Sequence, residues 1–168
     1  GNILRAWAEL LSGEKRKELV HESLACFDTV LSLSQGQLGV LNWARTQNDK
    51  GLALHVLSRS LEASEGMEAL QLSLACYDAA LAFFPWHNAP GSWAEIQNNK
   101  SVSLSSLAEL LVGEGRKQAL ESALACCKGA LTAFTATNTP YSWALTQSNM
   151  GNVMRLSLIH ISEPTRQA

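Results

Sequence analysis

Basic charge, proline and tyrosine are scarce in this sequence of 168 residues. It has 13 Lys and Arg against 15 Asp and Glu, a formal net charge of −2 at pH 7. Since a chain without a basic excess has little to neutralise phosphates, we expect no nucleic-acid partner and no polybasic contact with a membrane. An apolar run of the ~18 residues that a bilayer-spanning helix needs is also missing. These absences indicate a chain that binds neither nucleic acid nor membrane.

Motifs for catalysis and nucleotide binding are absent as well. Neither G-x-G-x-x-G nor G-x-x-x-x-G-K-[ST] occurs in the chain, and no Ser or Cys stands with a His in a recognised nucleophile arrangement. We therefore expect no enzyme activity, no catalytic residue and no cofactor.

The cysteines also lack the pattern of a metal site. Cys26, Cys76 and Cys126 stand 50 residues apart, without a paired C-x-x-C or a nearby His. This spacing predicts small, buried core residues of a reduced, cytoplasmic protein, and no metal ion. The adjacent Cys126 and Cys127 leave a redox pair open as an alternative, although nothing around them favours it.

What the sequence does contain is an internal repeat. Two markers, a Trp-Ala-x-x-Gln block and a Leu-Ala-Cys triplet, recur every 50 residues. The Trp residues are Trp43, Trp93 and Trp143, which we expect to pack against the preceding linker. Trp86 lies in a linker, where a surface contact and ordinary loop packing are both open.

Each repeat divides into two helical segments. Asn42, Ser92 and Ser142 directly precede the Trp residues, which predicts that they are N-caps of the first helix, with Pro90 and Pro140 in the linker before it. Apolar residues at three-to-four-residue steps in the second helix form a face wide enough to need neighbours on two sides. That is the requirement of stacked helical repeats. We expect units at 43–92 and 93–142, with partial units at 1–42 and 143–155.

These residues resemble the tetratricopeptide repeat family, in its long variant of about 50 residues per unit with a T-Q-N-N-L-G-like signature. The matching residues are Thr146, Gln147, Asn149 and Gly151 in the first helix, and Ser73, Tyr77, Ala80 and Pro85 in the second. Lys50 and Lys100 depart from the pattern, since the family prefers Leu there. The resemblance implies an all-α solenoid of antiparallel helix pairs, with about three repeats, truncated at both ends.

The resemblance also implies a concave groove lined by the first helix of each unit. Its ligand-facing positions correspond here to Arg45, Asn48, Asp49, Leu52, His55, Glu95, Asn98, Asn99, Val102, Ser105, Asn149 and Asn152. Asn side chains both donate and accept, which suits an extended peptide backbone. Alternatively, several Asn and the repeated Gln residues tie neighbouring helices together.

The function expected from the resemblance is a scaffold that binds a peptide or a segment of a partner protein, as a fragment of a larger protein. The alternative is a structural spacer or self-association module within a multidomain signalling or effector protein. Stacked repeats need capping units, so uncapped ends would also promote self-association.

The last residues follow a different pattern. Residues 156–166 resemble a translated sequencing adapter, and the repeat loses its phase after Arg155. We therefore expect the repeat array to occupy residues 1–155, with residues 156–168 as a non-native tail.

Overall fold

The computed structural model describes residues 1–10, 13–33 and 39–162. Within these ranges the chain forms seven helices and no strand. They are α1 (Asn2–Glu9), α2 (Glu14–Leu33), α3 (Val40–Ser58), α4 (Ala63–Leu81), α5 (Pro90–Leu110), α6 (Gly113–Ala133) and α7 (Pro140–Ser162). The predicted all-α class is confirmed at this level. No described helix is both long enough and apolar enough to cross a bilayer.

The helices form two rows. Each helix packs on the next one along the chain, and each odd-numbered helix also contacts the next odd-numbered helix. Within the described ranges, the even-numbered helices do not approach one another in this way. We call α1, α3, α5 and α7 the odd row, and α2, α4 and α6 the even row.

The hydrophobic core lies between successive helix pairs. Ala53, Val56 and Leu57 of α3 pack on the first pair, where they meet Val20 and Phe27 of α2. The same kind of contact recurs one pair later, where Tyr77 and Phe84 meet Ile96 of α5. Burying one such side chain contributes about 1.5–3 kcal/mol, so each pair depends on its neighbour for much of its stability.

The predicted N-caps of the first helices are wrong. The helices α3, α5 and α7 begin at Val40, Pro90 and Pro140, again 50 residues apart, so Asn42, Ser92 and Ser142 lie inside the first turn. Ala89 is the N-cap of α5 and makes no side-chain capping bond. Proline suits the first helical position, because its φ is already helical and the N–H that it lacks would have no partner there.

The predicted boundary at residues 155 and 156 lies inside α7. This helix continues to Ser162, and Leu156 is buried beside Val153 in the core that α6 and α7 share. Helical conformation does not reveal where a segment came from, so the adapter-derived tail stays a prediction. Residues 163–168 of that tail lie outside the described residues.

Candidate binding surface on the odd row

All the predicted groove residues lie on α3, α5 and α7, helices that contact one another in series. Their exposure divides them into three groups. Asn48 and Asn98 are buried; Asp49, Leu52, His55, Asn99, Val102, Ser105 and Asn149 are half-buried; Arg45, Glu95 and Asn152 are exposed. The third group is the most accessible to a ligand.

Asparagine side chains link the odd row from helix to helix. Nδ2 of Asn99 donates to Oδ1 of Asn48 at 3.1 Å, and Nδ2 of Asn149 donates to Oδ1 of Asn98 at 3.0 Å. Both bonds join residues 51 positions apart. A bond of this kind contributes on the order of 1 kcal/mol, whereas a buried amide left without a partner costs more. At these four positions the geometry therefore favours the helix-tying interpretation.

A second side-chain bond between α3 and α5 has the same 51-residue offset. Nε2 of His55 lies 3.1 Å from Oγ of Ser106, and either atom can donate, depending on the tautomer. Burial lowers the pKa of His55 to about 4, with the Arg59 charge acting in the same direction. The imidazole is therefore neutral at pH 7 and is a weak base there. Ser106 was not among the predicted residues, although it has the same 51-residue offset from His55 as the Asn pairs have from each other.

One cavity opens between the first halves of α3 and α5. It has a volume of about 270 Å³ and is lined by Arg45, Asn48, Asp49, Phe84, Ser92, Glu95 and Ile96. Four of these residues belong to the predicted groove. Since a guanidinium and two carboxylates surround the same space, the cavity offers charged groups of both signs to an entering polar chain.

A second cavity lies further along the same two helices. Its volume is about 320 Å³, and its lining is His55, Ser58, Arg59, Leu70, Val102, Ser106, Glu109 and Leu110. His55 and Val102 were predicted, whereas the charged residues Arg59 and Glu109 were not. Both were missed because they lie at or beyond the C-terminal ends of their helices, where the resemblance supplies no ligand-facing position.

The remaining predicted residues do not line these two cavities. Oγ of Ser105 donates to the carbonyl oxygen of Ser101 within α5, at 2.9 Å. Oδ1 of Asn152 accepts from Nη2 of Arg155 at 3.2 Å. Leu52 and Asn149 lie on the odd row outside the linings of both cavities.

The cysteines differ in burial from unit to unit. Cys126 and Cys127 are buried and Cys76 is half-buried, but Cys26 is exposed, so its predicted burial is wrong. Cys76 on α4 lines a cavity together with residues of α2 and α3, whereas Cys26 lies on α2, which no even-numbered helix precedes within the described ranges. Burial raises the pKa of Cys126 to about 11, which keeps this thiol protonated and unreactive at neutral pH. No group of three potential metal ligands occurs among the described residues.

The two lysines that depart from the family pattern have partners in the even row. Nζ of Lys50 lies 2.5 Å from Oδ1 of Asp28, and Lys100 pairs in the same way with Asp78. Each pair joins an odd helix to the even helix before it. The stem of each lysine can pack between helices while its ammonium reaches the carboxylate near the surface.

Trp43 and Trp93 lie in α3 and α5 and contact linker residues: Trp93 meets the preceding linker as predicted, whereas Trp43 meets Phe83, which follows α4, and residues 34–38 of its preceding linker lie outside the described residues. The rings of Trp43 and Phe83 lie edge-to-face with centroids 5.0 Å apart, and those of Trp86 and Trp93 do the same at 5.2 Å. Trp86 thus packs on the start of α5 while part of its side chain stays exposed.

A scan against protein-family models and searches of curated proteins and solved structures found no match to this chain.

Proposed function

We propose that the chain is a tetratricopeptide-like solenoid that binds an extended peptide, or a segment of a partner protein, along the odd row. The contact pattern supports the shape: helices that approach one another in one row only make a stack that curves toward that row. The odd row would then be the concave side. The role is binding, without a reaction.

The observation that carries this proposal is that some polar side chains of the odd row bond the helices to one another while others stay exposed beside a cavity. The Asn pairs hold α3, α5 and α7 in register, whereas Arg45 and Glu95 stay exposed at the edge of a cavity between the same helices. A surface already held by its own hydrogen bonds loses little conformational freedom when a ligand arrives. Arg45, Asp49 and Glu95 would contact the peptide at one cavity, and Arg59 and Glu109 at the other.

The free thiols support a reducing compartment such as the cytoplasm. All four cysteines are free, and burial raises the pKa of Cys76, Cys126 and Cys127. Buried thiols of this kind persist most readily where no oxidant is maintained.

The peptide-binding proposal can be tested with a phage-displayed library of random linear peptides, selected on the immobilised full chain. The affinity of an enriched peptide is then measured by fluorescence anisotropy for the chain and for Glu95→Lys. We expect Glu95→Lys to change the affinity about tenfold, because it reverses a charge at the edge of the cavity.

The matched control is Glu121→Lys, which reverses another exposed glutamate but lies on α6 in the even row. Its affinity should equal that of the unchanged chain. Equal effects of the two substitutions, or a selection that enriches no peptide, would contradict the proposal.

A second candidate function, self-association, is favoured by one feature of α1. Ile3 and Trp7 are 75% and 61% exposed, whereas the corresponding residues of α3, Ala53 and Leu57, are 0% and 5% exposed. Contiguous apolar side chains of this kind commonly mark a protein interface. The chain would then act as a spacer or self-association module.

Sedimentation velocity over a range of concentrations tests this second candidate. We expect oligomers that dissociate in the Trp7→Glu variant, since a carboxylate in an apolar interface is strongly unfavourable. Leu72→Glu, at an exposed leucine of the even row, is the control and should leave the distribution unchanged. A monomer at every concentration would refute self-association through α1.

A further inference from the structure

One position of each odd helix controls how closely an even helix can approach. It is occupied by Gly51, Ser101 and Gly151 within α3, α5 and α7, and by Gly1 at the N-cap of α1, at intervals of 50 residues. A Cβ atom added to Gly51 would lie 2.7 Å from Cε1 of Tyr77, closer than real contacts allow. A Cβ atom on Gly1 would collide with the Phe27 ring in the same way. Only glycine therefore leaves room for an aromatic ring against the backbone at this position.

The same glycines also receive a hydroxyl from the helix that bears the ring. Oγ of Ser73 donates to the carbonyl oxygen of Gly51 at 2.8 Å, and Oγ of Ser23 donates to that of Gly1 at 3.0 Å. Each serine precedes its aromatic residue by four positions, so both side chains lie on one face of their helix. We call this arrangement the glycine seat: a glycine in or at the N-cap of an odd helix, whose carbonyl accepts a Ser hydroxyl and which is covered by the Phe or Tyr four residues after that Ser.

The third pair of helices lacks the seat and shows that its parts change together. Ser101 replaces the glycine in α5, and the facing residues of α6 are Ala123 and Cys127, both buried. A larger residue on the odd helix thus accompanies smaller ones on the even helix. Glycine at this position is consequently an indicator of a facing aromatic side chain.

Gly151 in α7 is such a seat without an occupant among the described residues. Apart from the adjoining residues of its own helix, no described atom lies within 4 Å of a Cβ built on it. Ala144 on the same face is exposed, although Ala44 and Ala94 are fully buried at the corresponding positions. Met154 is 44% exposed, whereas Leu54 at its corresponding position is 6% exposed.

We propose that this face of α7, formed by Ala144, Gly151 and Met154, binds a partner helix that carries Ser and, four residues later, Phe or Tyr. The partner helix would pack on α7 as α4 packs on α3. Its Ser hydroxyl would donate to the carbonyl oxygen of Gly151, and its aromatic ring would lie against that glycine. In this chain the Ser-x-x-x-aromatic pattern occurs at Ser23 with Phe27 and at Ser73 with Tyr77. Both rings are already buried, so a second folded copy does not offer this helix.

The probe is a synthetic peptide of residues 63–84 with Cys76→Ala, fluorescently labelled at its N-terminus and titrated with the full chain. It contains Ser73 and Tyr77. We expect saturable binding, and at least tenfold weaker binding by Gly151→Ala, because the added Cβ occupies the space of the ring. A peptide that also carries Tyr77→Ala should bind as weakly to the unchanged chain.

The substitution separates binding from folding. In the free chain, Gly151→Ala places a methyl group in open space and replaces the residue least suited to a helix interior after proline. The thermal midpoint of the variant should therefore rise while its affinity for the peptide falls. Gly91→Ala in α5 also adds a methyl group to open space, and it should leave the affinity unchanged.

Peptide binding that Gly151→Ala does not weaken would overturn the proposal, since the peptide would then lie elsewhere on the chain. No binding at the highest soluble peptide concentration would overturn it as well. Oligomers of the chain alone that disappear in Gly151→Ala would identify a second copy as the occupant, against the partner proposed here.

Discussion

The helix pairs α3–α4 and α5–α6 repeat each other along the sequence but are packed differently at their closest approach. In the first pair, Gly51 faces the fully buried ring of Tyr77. In the second, Ser101 stands in the glycine position and the aromatic is replaced by Cys127. Protein interiors are close-packed, so a change of volume on one helix has to be matched on the other. At this position, a larger residue on the odd helix is accompanied by a smaller residue on the even helix, which is the direction of change that close packing requires.

The two buried residues differ most in how much stability they should supply. Tyr77→Ala should lower the free energy of unfolding by about 3 kcal/mol, because it removes a fully buried ring and leaves a cavity. Cys127→Ala removes a single sulfur atom and should cost about 1 kcal/mol. Urea denaturation of both variants measures the difference. Equal costs would mean that the neighbouring helices close over the space left by the ring.

The volume match itself can be tested by exchanging residues between the pairs. Gly51→Ser should destabilise by about 2 kcal/mol, because its side chain collides with the Tyr77 ring. Adding Tyr77→Cys recreates the combination found in α5–α6 and should cost less than the sum of the two single substitutions. A double-mutant cycle by urea denaturation measures the coupling. If the two free-energy changes simply add, there is no coupling energy between positions 51 and 77, and the volume match is refuted.

Low pH should separate the two pairs as well, since α3 has His55 where α5 has Ser105. Burial, aided by Arg59, holds the pKa of His55 near 4, below the ordinary value of 6.5. As pH falls from 6.5 to 4 the unfolded chain binds this proton first, so the free energy of unfolding falls, by on the order of 2 kcal/mol.

In the His55→Ser variant that part of the pH dependence should vanish, as measured by urea denaturation at several pH values between 7 and 4. His87→Ser, at an exposed histidine of a linker, is the matched control and should keep the original pH dependence. A slope that survives in His55→Ser would place its origin in the carboxylates.

The smallest difference should come from the ion pairs that link the rows. Lys100→Met gives α5 the residue that α7 has at Met150 and breaks the pair with Asp78. Exposed pairs contribute 0–1 kcal/mol, so the expected loss is about 0.5 kcal/mol and should shrink in high salt. Thermal melts at two salt concentrations measure it. A loss of several kcal/mol would instead assign the stem of Lys100 a packing role.

Local patterns predicted the helices well but placed their ends less accurately. Apolar residues recur every three to four positions along one face of a helix, whatever that face packs against, so this spacing can be read from the sequence. The starts of α5 and α7 were missed because Ser92 and Ser142 are good N-caps by type, while Pro90 and Pro140 were assigned to the linker. Proline at the first helical position explains both cases.

The sequence predicted which helices carry the candidate site better than it predicted what each side chain does there. Its residues lie on α3, α5 and α7, yet the side-chain oxygens of Asn48 and Asn98 already accept hydrogen bonds from Asn99 and Asn149 of the neighbouring helices. Residue type cannot reveal this, because an exposed Asn and a bonded one look alike in a sequence. Ser106 was missed because it approaches His55 only when α3 and α5 pack side by side, whereas Arg59 follows His55 by one turn at the C-cap of α3.

By itself the sequence determined an all-helical chain with a 50-residue period, since both follow from the order of apolar and small residues along it. Only the tertiary structure decided which polar groups are already bonded, that Gly51 is covered by a ring, and that Gly151 has an open face. The reason is physical: helical periodicity is set by residues within one or two turns, whereas contacts between positions 22 or 51 apart depend on how closely the helices dock.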